Sequence, residues 1–246
     1  MASISRANLE VVADKAALAR AAAERVAARL AAVGGRGAVC LTGGSTPKDL
    51  YALLAARTDL PWARLHWFLT DERFVPPRDE LSNLRMCREA LLDRAPIPPE
   101  NIHPIPTDAA SPDEAAARYQ AELKAFYGAP GLDAARPLFD VVVMGMGPDG
   151  HTASLFPGKP AVEETARWAV GVPEAGWEPF VPRVSLTLPV LGSCREMVFL
   201  IAGADKRAPL GRVLAGETLP SGRAWTRGTM VTLADRAATP EAGHGG

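Results

Sequence analysis

Short apolar runs alternate along this chain with segments of helical pattern, and this alternation is the feature that most constrains its fold. The clearest run, Val141 to Met144, is mostly β-branched and contains no polar residue, as expected for a strand buried on both faces of a parallel sheet. Strands that alternate with helices are joined by right-handed crossovers, which build layered structures. The sequence therefore predicts an α/β fold, a Rossmann-like layered sandwich with a mainly parallel central sheet and helices on both faces.

Several predicted helices begin or end at residues typical of caps. Asp14 precedes an alanine-rich helix that ends at Gly34 and Gly35, and Ser82 and Ser111 precede two further helices. The alanine-rich segment lacks sustained heptads, which argues against a coiled coil. The predicted strands are residues 8–12 at a sheet edge, 38–41, 65–69, 139–144, 169–172, 184–188, 197–202 and 231–233, and the predicted helices are residues 14–33, 47–56, 82–92, 111–127 and 206–214. We expect a single domain over residues 1–246, with a disordered tail from about residue 237.

Composition narrows the class of protein. The 246 residues are 48% hydrophobic, which is enough for a sizeable core, and their formal net charge is −1. This balance argues against a nucleic-acid or anionic-membrane surface, both of which usually need a basic excess. Cys40, Cys87 and Cys194 lie far apart, so neither a disulfide framework nor a zinc site is predicted. These cysteines suit a reducing cytoplasm, and no signal-peptide pattern or membrane-length apolar run is present, so we expect a cytoplasmic protein without nucleic-acid or membrane partners. We also expect a monomer.

The apolar run described first ends in a glycine-rich turn that contains a histidine. Gly145, Gly147 and Gly150 permit positive φ angles or a close approach of the backbone to a ligand. His151 follows, two positions after Asp149. Open α/β sheets bind ligands at the carboxyl ends of their strands, and histidine has the ordinary pKa nearest physiological pH. His151 is therefore a candidate for catalysis, with a purely structural histidine in a tight turn as the alternative.

The same glycines also spell G-x-G-x-x-G, the dinucleotide-binding fingerprint. That fingerprint belongs to the first strand, turn and helix of a domain and requires an acidic residue about 20 positions later, at the end of a second strand. Here the pattern comes late in the chain and is interrupted by Pro148. Glu163 and Glu164 lie at a suitable distance, but no apolar strand precedes them. We therefore do not expect a dinucleotide cofactor.

A second glycine-rich turn follows the predicted strand at 38–41. The segment Gly43-Gly44-Ser45-Thr46-Pro47 opens a helix, where free N–H groups and the helix dipole favour an anion such as a phosphate. It lacks the G-x-x-x-x-G-K-[ST] spacing of a P-loop. The alternative is an ordinary helix start, with Thr46 as N-cap and Pro47 at the first helical position.

Charged residues occupy three further positions next to predicted strands. Asp71, Glu72 and Arg73 form a turn after the strand at 65–69, Arg183 precedes the strand at 184–188, and Lys206 follows the strand at 197–202. Each of them can be an ordinary solvated charge, as most charged side chains are. Their occurrence together with the two glycine-rich turns favours a binding site, because so many polar turns have no evident role in packing.

The ordered motifs GGSTP, TDERF, GMGPDGHTASLFPG, PRVSLTLP and IAGADK resemble those of the 6-phosphogluconolactonase family, over roughly residues 8–233. The longest motif, Gly145 to Gly158, is specific. The family is similar to the glucosamine-6-phosphate deaminases, which carry a glutamate five residues beyond the corresponding histidine for acid–base work. This chain has Phe156 at that position, which favours the lactonase over the deaminase.

The resemblance implies a hydrolase that converts 6-phosphoglucono-1,5-lactone to 6-phosphogluconate in the pentose phosphate pathway. It also implies a small-molecule phosphosugar lactone as the partner, and neither a metal nor an organic cofactor. The histidines agree with a metal-free site, because His66, His103, His151 and His244 show no ligand spacing.

Lactone opening needs a nucleophile, stabilisation of the oxyanion and a proton for the leaving oxygen. We expect neutral His151 to accept a proton from the attacking water and to return it to the leaving alkoxide, while Asp149 orients the imidazole. Arg73 is assigned to the lactone carboxyl or its oxyanion. Asp71 is assigned to sugar hydroxyls or to holding Arg73.

The substrate phosphate is assigned to the GGSTP turn and to two cations. The backbone donors of the turn set the position of the phosphate. Arg183 and Lys206 are carried over from matching positions in the related phosphosugar enzymes and supply charge. The turn residues of this assignment are Gly43, Gly44, Ser45 and Thr46.

Three alternatives stay open at this point. Ser45 lies in GGSTP rather than in the G-x-S-x-G elbow of serine hydrolases, and no cysteine lies beside His151, so a covalent nucleophile is disfavoured. A deaminase or aldose–ketose isomerase is disfavoured by Phe156. A non-catalytic phosphosugar sensor would have a damaged Asp149–His151 turn, whereas that turn is intact here.

Overall fold

The computed structural model describes residues 1–241, and its main feature is a six-stranded sheet in which all neighbouring strands are parallel. In chain order, the strands of this part of the chain are β1 (Ala2–Ser3), β2 (Leu9–Val12), β3 (Gly37–Leu41), β4 (Leu65–Leu69), β5 (Asp71–Arg73), β6 (Phe139–Gly145), β7 (Ala169–Val172), β8 (Arg183–Leu186), β9 (Cys194–Ile201), β10 (Trp225–Thr226) and β11 (Thr229–Asp235). The order in the large sheet is β2-β11-β9-β6-β3-β4. The predicted mainly parallel sheet is confirmed.

Residue patterns explain the positions of the strands in this sheet. Every residue of β3 is buried, and so is the run Val141 to Met144 in β6, as required for strands covered on both faces. These two strands lie side by side in the interior of the sheet. β2 exposes Glu10 and Val11 and lies at the edge, as predicted.

Helices flank the sheet, and their predicted caps are confirmed. Asp14, Ser82 and Ser111 each accept a hydrogen bond from the backbone N–H three residues further on, at 2.7 to 3.2 Å. None of the helices within residues 1–241 is both long and apolar enough to cross a membrane. The α-helices of these residues are α1 (Lys15–Ala31), α2 (Ser45–Ala55), α3 (Asn83–Cys87), α4 (Pro112–Tyr127), α5 (Leu188–Leu191), α6 (Arg207–Leu214) and α7 (Pro220–Arg223).

The charged segment after β4 differs from its prediction. Asp71, Glu72 and Arg73 were expected in a turn, but they form β5, which pairs antiparallel with β8. β8 also pairs antiparallel with β7, so these three strands make a separate small sheet. Charged residues form a strand here because the pairing partner, Arg183 to Leu186, comes from a distant part of the chain.

The boundaries of two other segments also differ from their predictions. α2 begins at Ser45 with Gly44 as its N-cap, so Thr46 is not the cap. The predicted start of the disordered tail, at about residue 237, is too early. The N–H of Ala238 donates to the Asp235 carboxylate at 2.8 Å, and Ala238 is fully buried. The last part of the predicted tail, residues 242–246, lies outside the described residues.

The order of the strands brings the two glycine-rich turns together. β3 leads through α2 to β4 on one side, whereas its other neighbour, β6, leads on to β9. The strand order thus reverses between β3 and β6, and ligands bind open α/β sheets at the carboxyl ends of strands at such a switch point. The GGSTP turn follows β3 and the His151 turn follows β6, so both lie at this point.

Candidate active site

A cavity of about 300 Å³ lies at the carboxyl ends of the parallel strands. The glycine-rich turns after β3 and β6, the 3₁₀ turn Ala204–Lys206 after β9, and strands β5 and β8 all contribute to its wall. Every residue predicted for the site lines this cavity except Asp149. The fold therefore gathers segments that are far apart in the sequence around one space.

The N-terminus of α2 forms one part of the wall. Gly44 precedes the helix with a φ of 97°, in the left-handed region where a side chain would be strained, and no side chain caps the helix. The N–H groups of Ser45 and Thr46, in the first turn, therefore have no partner within the helix. Together with the helix dipole, these groups favour a negatively charged ligand at this end of α2.

The imidazole of His151 is held by Asp149. Nδ1 of the ring lies 2.5 Å from Oδ1 of the carboxylate, which also accepts the backbone N–H of His151 at 3.0 Å. Because an ionised carboxylate only accepts hydrogen bonds, Nδ1 carries the proton and Nε2 of the neutral ring has a free lone pair. Burial acts to raise the pKa of Asp149, but the hydrogen bonds from His151 and the charge of its ring when protonated outweigh it and lower that pKa. Asp149 thus orients the ring without lining the cavity.

A glycine and an aromatic ring pack against the same imidazole. A Cβ at Gly147 would lie 2.1 Å from Nδ1 and Cε1 of His151, so the ring can occupy its position only next to glycine. The buried ring of Phe156 lies with its centroid 4.7 Å from that of the imidazole. An apolar side chain therefore occupies the position at which the similar deaminases have an acid–base glutamate.

Asp71 is a buried carboxylate in the cavity wall. The hydroxyl of Thr70 donates to its Oδ1 at 2.9 Å, and the hydroxyl of Ser154 donates to its Oδ2 at 2.7 Å. The guanidinium of Arg73 instead donates to the carbonyl of Leu81 at 2.7 Å. Of the two roles expected for Asp71, contact with a ligand fits its position better than holding Arg73.

Two arginines lie directly opposite each other on β5 and β8. In this register Arg73 pairs with Arg183, and neither forms an ion pair with a carboxylate of the described residues. Arg183 is only 3% exposed and donates to the carbonyls of Pro179 at 2.7 Å and Val181 at 3.2 Å. Burial lowers the pKa of Arg183, against the opposing charge of Asp71. Two guanidinium groups that lack an ion-pair contact within residues 1–241 make this wall suitable for an anionic ligand.

Lys206 adds a third positive charge, but it has a partner. Its Nζ lies 2.6 Å from Oδ2 of Asp205, a half-exposed residue that also lines the cavity. An anionic ligand must therefore compete with Asp205 for the ammonium group.

Asn83 and Asp205 are cavity residues that the sequence analysis missed. Asn83 follows the N-cap Ser82, and its only local signal was that of a helix start. Asp205 precedes Lys206 and had the pattern of an ordinary exposed charge. Within the described residues, no group of three or more His, Cys, Asp or Glu side chains is arranged to hold a metal ion, and His244 lies outside them.

Comparison with known proteins identifies the family. A family model described as glucosamine-6-phosphate isomerases/6-phosphogluconolactonase matches residues 13–232. The chain is 44% identical over 187 residues to a 6-phosphogluconolactonase of Synechocystis sp., covering 76% of this chain and 75% of the relative. It is 39% identical over 243 residues to a 6-phosphogluconolactonase of Nostoc sp., covering 95% and 98% of the two chains.

Solved structures agree with these matches. The crystal structure of 6-phosphogluconolactonase from Thermotoga maritima has a TM-score of 0.81 at 30% identity and covers 93% of this chain and 99% of its own. A monomeric glucosamine-6-phosphate deaminase, 17% identical with a TM-score of 0.79, shares the fold. The chain therefore belongs to the family of glucosamine-6-phosphate isomerases and 6-phosphogluconolactonases.

Proposed function

We propose that this protein hydrolyses 6-phosphoglucono-1,5-lactone to 6-phosphogluconate in the pentose phosphate pathway. The main observation in support is that the imidazole of His151 and three cations, Arg73, Arg183 and Lys206, line one cavity. A phosphorylated lactone offers an ester carbonyl to the base and a phosphate dianion to the cations. The relatives named 6-phosphogluconolactonase, at 39% and 44% identity, support the same reaction.

In the proposed mechanism, His151 acts first as a base and then as an acid. Nε2 accepts a proton from water while the water oxygen bonds to the lactone carbonyl carbon. The hydrogen bond from Nδ1 to Asp149 stabilises the imidazolium that forms. The proton then passes to the ring oxygen as the C–O bond breaks, which restores the neutral histidine. General acid–base catalysis of this kind typically contributes about 10²–10⁴-fold.

The cations have separate tasks in this proposal. Arg183, Lys206 and the first turn of α2 bind the phosphate, and Arg73 stabilises the negative charge that develops on the carbonyl oxygen. A different backbone carbonyl holds each of the two arginines. Arg73 is held by the carbonyl of Leu81, whereas Arg183 is held by the carbonyl of Pro179 in the connection between β7 and β8.

Acid release from freshly generated 6-phosphoglucono-1,5-lactone tests the reaction. The rate is measured against spontaneous hydrolysis and against enzymatic turnover of the unphosphorylated lactone. We expect a strong preference for the phosphorylated substrate, because the unphosphorylated lactone has no phosphate for Arg183, Lys206 and the first turn of α2 to bind. Release of ammonia from glucosamine-6-phosphate, without lactone hydrolysis, would instead indicate a deaminase.

Substitution of His151 tests the mechanism. His151→Asn should lower kcat by about 10²–10⁴-fold with little change in KM. His103→Asn is the matched control, because Nδ1 of His103 lies 2.6 Å from the Glu122 carboxylate but His103 does not line the cavity. Near-normal turnover by His151→Asn would eliminate His151 as the base.

We also propose that the protein works as a monomer in the cytoplasm. The three cysteines are free and buried, which suits a reducing compartment. Sedimentation equilibrium should give a mass near 26.0 kDa, the mass of one chain. A mass of twice that value or more would refute the monomer.

A further inference from the structure

Asn83 is a rigidly held amide in the cavity wall. Its Nδ2 donates to the backbone carbonyl of Asp71 at 3.0 Å. Its Oδ1 lies so close to Gly43 that a Cβ on the glycine would be 1.9 Å from it. The residue is only 3% exposed. A hydrogen bond therefore holds the Nδ2 end of the amide, and the Oδ1 end packs against Gly43, where only a glycine leaves room for it.

Glu72 holds the backbone around Asn83. Its buried carboxylate accepts the N–H groups of Asn83 and Leu84, both at 2.7 Å, and the hydroxyl of Ser82 at 3.0 Å. A fourth hydrogen bond, at 2.7 Å, comes from the N–H of Arg73. Burial raises the pKa of Glu72, and these four donors oppose that effect. A buried carboxylate is costly without such donors, and here they join the start of α3 firmly to β5.

The free hydrogen-bonding capacity of Asn83 suits a hydroxyl group. A primary amide has two N–H donors and a carbonyl acceptor, and within residues 1–241 only one donor of Asn83 has a partner. The neighbouring Asp71 carboxylate likewise retains acceptor capacity beyond its bonds to Thr70 and Ser154. A sugar hydroxyl both donates and accepts, so it can use the free groups of an amide. The cations of the cavity, by contrast, suit anionic groups.

We propose that Asn83 binds a ring hydroxyl of the phosphorylated lactone and sets the selectivity among lactones that differ at that hydroxyl. Glu72 is the positioning residue that keeps Asn83 in place. This inference rests on the proposed function, because it concerns the same cavity and substrate. A site built to bind a hydroxyl discriminates against an analogue that lacks it, since its own buried polar groups are then left unpaired.

Deoxy substrates test the contact directly. We would measure kcat/KM for 6-phosphoglucono-1,5-lactone and for its 2-deoxy, 3-deoxy and 4-deoxy analogues, with the wild-type protein and with Asn83→Ala. The kcat/KM of the variant for the parent lactone should be about 10–100-fold lower than that of the wild type, which corresponds to the loss of one or two buried hydrogen bonds. Toward one deoxy analogue it should match the wild type, because the hydroxyl that Asn83 binds is already missing. An equal loss toward all four lactones, or no loss, would overturn the proposal.

A second buried asparagine provides the control. Asn101 is 5% exposed, and its Nδ2 donates to the carbonyl of Ala63 at 3.1 Å, outside the cavity. Asn101→Ala should leave the ratios among the four lactones unchanged, whatever it does to stability. If thermal unfolding shows that Asn83→Ala is not folded, Asn83→Ser provides the same comparison. Its side chain is shorter than that of asparagine and fails to reach the hydroxyl.

The preference between the parent and the deoxy lactone also tests whether Glu72 positions Asn83. Glu72→Gln places an amide N–H₂ among backbone donors, so it should loosen Asn83 and reduce the preference for the parent over the deoxy analogue identified above. A stability loss with an unchanged preference would remove Glu72 from the positioning role. Wild-type protein without activity on the parent lactone would refute the proposed function, whereas activity with selectivity independent of Asn83 would refute this inference alone.

Discussion

The ring of Phe156 lies against the imidazole of His151, with the centroids 4.7 Å apart and the planes tilted by 50°. Phe156 is 1% exposed and packs with Val170 and Val172 of β7 in a small apolar cluster beside the main core. The proposed base is thereby joined to the antiparallel sheet by apolar contacts. A polar side chain at position 156 would disturb both the cluster and the histidine.

Phe156→Glu should be strongly destabilised without becoming a deaminase. The substitution removes a buried ring and places a carboxylate among apolar side chains, which should cost at least about 3 kcal/mol of unfolding free energy. Phe180→Glu is the control, because Phe180 is 71% exposed and should change stability by no more than about 0.5 kcal/mol. Urea unfolding and an ammonia assay with glucosamine-6-phosphate measure the two effects. A stable Phe156→Glu variant that releases ammonia would contradict this prediction.

Gly147→Ala should lower kcat through displacement of the imidazole. The new Cβ would overlap Nδ1 and Cε1 of His151 at 2.1 Å, so the ring has to move. A displacement of about 1 Å in a catalytic group can cost about 10²-fold in rate. Gly131→Ala is the matched control, because a Cβ there has no neighbour within 4 Å. The kcat of both variants is measured by steady-state kinetics. An unchanged kcat for Gly147→Ala would show that the ring tolerates the methyl group.

Arg183→Met should raise KM while changing kcat much less. Hydrogen bonds to charged groups contribute about 1.5–3 kcal/mol, which corresponds to roughly 10–150-fold in binding. The same variant should bind inorganic phosphate more weakly as a competitive inhibitor. Arg118→Met is a suitable control, because Arg118 is an exposed residue paired with Asp108 at 3.2 Å. Unchanged KM and unchanged phosphate inhibition would exclude Arg183 from phosphate binding.

The contact between His66 and His103 should make the protein less stable in mild acid. Nδ1 of His66 lies 2.9 Å from Nε2 of His103. Burial, together with the positive charges of His103 and Arg36, lowers the pKa of His66 from 6.5 to about 4, although Glu100 opposes the shift. As the pH falls, His66 is therefore protonated in the unfolded chain before it is protonated in the folded protein. The free energy of unfolding should therefore be unaffected by His66 above about pH 6.5 and should decline as the pH falls from 6.5 to 4.

Urea midpoints measured from pH 7 to pH 4 test this expectation. In His66→Gln the position carries no titrating group, so its midpoint should fall less steeply with pH than that of the wild type. Parallel curves for the two proteins would show that His66 does not contribute to acid sensitivity.

Local sequence patterns were sufficient to predict the parallel sheet and the first residues of most helices. Val141 to Met144 is apolar throughout, and such a run is stable only where both faces are covered. Asp14 and Ser111 cap helices through bonds to residues three positions away, so their signals lie within a few residues. β5 was missed because its charged residues form a strand only when β8 supplies a partner from a distant part of the chain.

Sequence alone thus determined the sheet and the family resemblance, and it identified the turns that line the cavity, because glycine turns and strand ends are local properties. The tertiary structure decided which side chains meet. Phe156 contacts His151, and Asn83 contacts Gly43, only because the fold brings their segments together. Distances between segments depend on the packing of the whole chain, and no pattern along one segment encodes them.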